Sequence, residues 1–95
     1  RCIITNVTMP EVLEAAHIKP FKYKGEDTVA NGFAMRTDIH TLFATGHLRI
    51  SPEGVIELSS RARMDYGASI PPRIVVPDFT NKDFLRWRYE NYNGI

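Results

Sequence analysis

Apolar residues fall along this chain in short runs broken by proline, glycine and charge, a pattern of brief strands and short helices. Cys2-Ile3-Ile4-Thr5 reads as a strand and Asn6 to Pro10 as a turn. Val12 to Ile18 is apolar except for Glu14 and is bracketed by Pro10 and Pro20, too closely for a comfortable helix. Its alanines nevertheless favour helix over strand, so propensity and bracketing disagree. Phe21 to Ala30 is polar, carries Gly25, Glu26 and Asp27, and reads as a loop. Asn31-Gly32 is a turn signal ahead of a short strand over Gly32 to Met35.

A helix follows, with Ile39, Leu42 and Phe43 at helical spacing, Thr37 or Asp38 as its cap, and Gly46 at its end. Leu48-Arg49-Ile50 and Val55-Ile56-Glu57-Leu58 flank Ser51-Pro52-Glu53-Gly54 and predict a β-hairpin. Ser59 to Ala68 is ambiguous, with a helical turn as one reading, and the prolines at 71, 72 and 77 mark an extended crossing. Asn81 to Tyr92 predicts a terminal helix whose Phe84, Leu85, Arg88 and Tyr92 share a face, with Trp87 as its anchor on the core.

Composition narrows the picture. Ninety-five residues make a single domain over 1–95, and an apolar content of 43% allows only a small core. A domain of this size often leans on a metal or a partner. The chain starts at Arg1 without Met, as expected of a fragment of a larger protein. Its one cysteine, Cys2, excludes an internal disulfide and a cysteine zinc knuckle and suits a reducing compartment. No apolar run approaches the ~20 residues of a membrane span, and no signal-peptide pattern is present, so a soluble cytoplasmic domain is expected. A net charge of +1 does not announce nucleic-acid binding. The cluster Lys19, Lys22 and Lys24 is by itself most simply a solvated face.

Inside Leu13–Gly46, His17, Asn31 and His40 recur at intervals of 14 and 9 residues. The segments Glu14-Ala15-Ala16-His17-Ile18, Asn31-Gly32, Arg36, Asp38-Ile39-His40, Leu42-Phe43 and Gly46, with Pro20, resemble the HNH endonuclease family, the ββα-metal fold, in its bacterial restriction-type subfamily. The resemblance covers about a third of the chain closely. It implies an α+β fold, a ββα core to which this sequence adds a β-hairpin and a C-terminal helix. It also decides in favour of an extended Val12–Ile18.

The resemblance implies a metal-dependent endonuclease hydrolysing DNA phosphodiester bonds. His17 would be the general base, Asn31 its orienter or the lock of the hairpin loop, and His40 a metal ligand. The ion would be Mg²⁺ in the first place, with Mn²⁺, Zn²⁺ or Ni²⁺ as alternatives. Lys19, Lys22, Lys24 and Arg36 would meet the DNA, and a recognition domain would lie elsewhere in the full-length chain; a homodimer is compatible with this. Plainer readings stand beside these: a core histidine for His17, a surface residue for His40, a simple turn for Asn31, and an ion pair with Asp38 or Glu14 for Arg36.

Two positions depart from the family pattern. Ala16 stands where many members place a ligand just before the catalytic histidine, and Ala44 stands where an acidic residue often follows one turn after the helix histidine. Glu14, two residues from Ala16 and so on the same strand face, is the substitute ligand. The departures motivate an alternative: a catalytically degenerate HNH domain that binds DNA or serves assembly. A structural domain whose histidines only pack is the third reading.

Overall fold

The computed structural model describes residues 1–92. Two strands, β1 (Leu13–His17) and β2 (Gly32–Arg36), pair antiparallel in the register Leu13 to Arg36 and His17 to Gly32. Helix α1 (Thr37–Thr45) follows β2 without a loop and stops at Gly46, whose φ of 80° is the left-handed conformation that glycine tolerates. A second antiparallel pair, β3 (Leu48–Ile50) and β4 (Ile56–Leu58), comes next, then α2 (Ser60–Tyr66) and α3 (Lys82–Asn91). The fold is thus the expected α+β arrangement of ββα unit, added hairpin and terminal helix. Single 3₁₀ turns occupy Pro10–Val12, Phe21–Tyr23 and Val29–Asn31.

Strand alternation divides the first hairpin into two faces. Ala16, Phe33 and Met35 are buried on one of them, against Ile39 and Phe43 of α1. Phe33 and Phe43 meet edge to face, ring centroids 6.2 Å apart. Leu48, Ile50 and Leu85 complete this core from β3 and α3. Burial against α1 overrides the helix preference of the alanines in β1. The other face, with Ala15, Ala34 and His17, is exposed.

Several local expectations are corrected. Cys2 to Thr5 is a tight turn and not a strand: Cys2 N–H donates to Val7 O (2.8 Å) and Asn6 N–H to Cys2 O (2.9 Å). Its apolar side chains reflect burial, since Cys2 and Ile4 enter the core. Gly32 is extended (φ −155°), so Asn31-Gly32 forms no glycine turn, and the chain reverses in the preceding 3₁₀ turns. No side chain caps α1. Asp38 accepts instead from the Arg36 guanidinium at 2.6 and 3.0 Å, from Ile39 N–H at 2.9 Å and from Tyr66 O–H at 3.0 Å. The ambiguous segment is α2, capped by Ser59 Oγ accepting from Ala62 N–H. In α3, capped by Asn81, Leu85 and Arg88 enter the core, whereas the half-buried Trp87 packs on Tyr23 and Tyr92. Among the described residues no helix is long and apolar enough to cross a membrane.

Candidate active site

His17 closes β1 on its exposed face, its side chain 44% accessible. Nε2 lies 3.4 Å from Asp27 Oδ1, and the ring tilts over Phe21 at 5.6 Å between centroids. Both neighbours come from the loop between the strands. An open groove of about 660 Å³ runs along this face, lined by His17, Asp27, Val29, Ala34 and Phe79 among others.

Asn31, fully buried, holds that loop in place. Its Oδ1 accepts from Lys19 N–H (2.8 Å), and its Nδ2 donates to Lys19 O (2.9 Å) and Glu26 O (2.6 Å). The carboxamide is therefore spent on backbone groups of the loop and not on the His17 ring. Gly25 is the counterpart of this lock: a Cβ there would stand 1.6 Å from Lys19 O.

His40, in the first turns of α1, bonds through Nδ1 to Glu14 Oε1 at 2.8 Å, so Glu14 reaches across from β1 to the helix. Both side chains are partly open to solvent, at 31% and 48%. Glu14 and His17 are three residues apart on one strand and so point to opposite faces. Each imidazole is thus paired with its own carboxylate, His17 with Asp27 and His40 with Glu14. Among the described residues no group of three or more His, Cys, Asp or Glu side chains gathers in one place. His40 and Glu14 offer one nitrogen and one oxygen donor on facing elements. Such a sparse pair suits a divalent cation that keeps several waters and takes substrate oxygens as further ligands.

Arg36 spends its guanidinium on Asp38. The Arg36 hydrogen bond, then that of Tyr66, holds the Asp38 carboxyl below its usual range against the opposing effect of burial. Lys19 Nζ sits 5.4 Å from the Phe84 ring and 5.2 Å from Trp87, and Lys22 Nζ lies 5.1 Å from Tyr23. Lys24 takes a left-handed conformation at φ 70°. All three lysines border the loop that carries Asp27. Asp27, Phe21 and Tyr66 were not singled out from the sequence. Asp27 sits in a polar loop with no periodicity, and only its ten-residue distance from His17 was readable.

The HNH endonuclease family model matches residues 2–51, just over half of the chain. The chain belongs to the HNH endonuclease family. The matched stretch contains β1, β2, α1 and β3, and α2 and α3 lie beyond it. Among solved structures, this HNH domain is similar to a "Modification dependent TagI restriction endonuclease", with a TM-score of 0.74 and 19% identity. The likeness covers 100% of this chain and 34% of that one, so the HNH domain spans about a third of that enzyme's length. At this identity the likeness speaks to the fold. None of the curated proteins matches the chain.

Proposed function

We propose that this HNH domain is the cleavage module of a restriction-type protein and hydrolyses DNA phosphodiester bonds with a divalent ion, Mg²⁺ first. The carrying observation is His17, an accessible imidazole with a carboxylate beside it at the edge of an open groove. With Asp27 accepting from Nε2–H, the lone pair on Nδ1 is free to take the proton of an attacking water. That tautomer is assigned from the hydrogen-bond pattern. Asn31 supports the base indirectly, by fixing the loop that brings Asp27 and Phe21 to it. His40 and Glu14 would hold the ion, which when bound supplies Lewis-acid stabilisation of the phosphate's charge. Lys19, Lys22 and Lys24 track the DNA backbone, giving affinity and salt dependence without sequence choice. Sequence choice belongs to a recognition domain elsewhere in a longer protein.

Nicking of supercoiled plasmid in Mg²⁺ or Mn²⁺ tests this. His17→Ala is expected to lower the rate by about 10²- to 10⁴-fold with an unchanged melting temperature. Cleavage surviving that substitution at the wild-type rate would remove His17 from the reaction. Ala16, buried at 0% exposure, and Ala44 favour a second reading, a degenerate domain that binds DNA without cutting it. Salt-sensitive DNA binding with no turnover in Mg²⁺, Mn²⁺, Zn²⁺ or Ni²⁺ would establish that reading in place of the first.

A further inference from the structure

Arg88 is an arginine in the hydrophobic core, 6% exposed, and among the described residues it has no carboxylate within ion-pair distance. Burying an unpaired guanidinium is costly unless its N–H groups are taken up. Backbone carbonyls take up most of them. Nη1 donates to His17 O (3.1 Å) and Ile18 O (2.7 Å), and Nη2 donates to Phe43 O (3.2 Å), while Nε has no partner among the described residues. Two aromatic faces complete the enclosure, with the guanidinium carbon 4.3 Å from the Phe43 centroid and 4.1 Å from that of Tyr92.

The three carbonyls belong to two elements. Those of His17 and Ile18 lie at the end of β1 and just past it, and that of Phe43 lies in the last turn of α1, where the helix dipole favours a cation. A planar fork can reach two elements at once from one fixed position, which a lysine ammonium cannot reproduce. An aliphatic residue would fill this core position more cheaply, so packing alone gives no reason for an arginine here.

We infer that Arg88 is a positioning residue for the reaction: it clamps the backbone of His17 and the end of α1 to α3, fixing the base relative to the helix that carries His40. The inference rests on the reading of His17 as the base. It extends the working site to α3, beyond the 2–51 stretch that matches the family. A lost clamp would let the end of β1 shift, and a displacement of about 1 Å at a reacting group can cost about a hundredfold in rate.

The experiment compares Arg88→Lys and Arg88→Met with Leu85→Val, a core change on the same helix that removes no hydrogen bond. Each is assayed well below its own melting temperature for plasmid-nicking kcat and KM, and by NMR for the nuclear Overhauser contact between the His17 and Phe21 rings. The expected result is a kcat lowered about a hundredfold for both Arg88 variants. Their KM stays within about twofold and the ring contact is lost, whereas Leu85→Val keeps both rate and contact. Arg88→Lys retaining the wild-type kcat and ring contact would overturn the inference, as would an equal loss in Leu85→Val. Should Arg88→Met fail to fold, the lysine variant decides. Should the wild type show no nicking, the proposed function fails, and the ring contact alone still decides whether Arg88 positions His17.

Discussion

Two of the three histidines, His17 and His40, are each paired with a carboxylate, and the pairs differ in almost every respect. The His40–Glu14 bond is 2.8 Å long and joins a helix to a strand. The His17–Asp27 contact is 3.4 Å long, and its carboxylate sits on a loop with 81% of its side chain exposed. Regular elements fix the first pair, and a loop held by one buried asparagine fixes the second. The difference suits the two tasks proposed for them. Ligands gain from being held in place before the ion arrives, while a base must meet solvent and substrate.

Substitutions away from the histidines can separate the two pairs. The largest effect on stability is expected from Asn31→Ala, which strands Lys19 N–H, Lys19 O and Glu26 O. We expect a loss of about 2–3 kcal/mol, read by urea unfolding, together with loss of the His17–Asp27 contact and retention of His40–Glu14. A loss below about 0.5 kcal/mol would mean that the loop holds its path without the asparagine. A smaller effect is expected from Glu14→Gln, which keeps the shape of the His40–Glu14 pair and removes its charge. Excess Mn²⁺ should raise the wild-type melting temperature by about 5 °C and that of the variant by less than about 1 °C. Equal shifts would move the ion away from this pair.

The smallest effect concerns Asp38, at the start of the helix that presents His40. Its folded carboxyl titrates below the ordinary value of 3.8, chiefly through the Arg36 hydrogen bond. A depressed carboxylate contributes stability that is fully present above its unfolded pKa and is lost as pH falls through the folded one. Asp38→Asn should therefore be less stable than the wild type near neutrality, and the gap should close as the pH drops below 3.8. Thermal melts across that range check it, and a gap that stays constant would assign the stability to another contact.

The central unit was legible because several local signals agree there: two bracketing prolines, an apolar strand after Asn31, helical spacing through Phe43 and a glycine stop. The His40–Glu14 pair followed from this, since alternation along β1 leaves Glu14 facing the helix. The path of the 21–30 loop was not legible. It depends on Asn31 reaching backbone groups up to 12 residues away, and nothing in a polar stretch says which carboxylate will meet His17. Asp38 looked like a helix cap because the residue type fits. It was drawn instead into a network with Tyr66, 28 residues on, whose position is set by packing of α2. At Cys2–Thr5 the apolar run signalled burial but not extension. Arg88 was visible as a charge on an otherwise apolar helix face, a mismatch whose meaning lay in backbone carbonyls that no pattern of side chains reveals.

The bond from Arg88 to the His17 carbonyl spans 71 positions. A ribosome building this chain completes β1, β2 and α1 well before α3 exists, so the histidine segment waits for this restraint until α3 is made. Assembly is thereby ordered in time, with α3 closing on a ββα unit made before it.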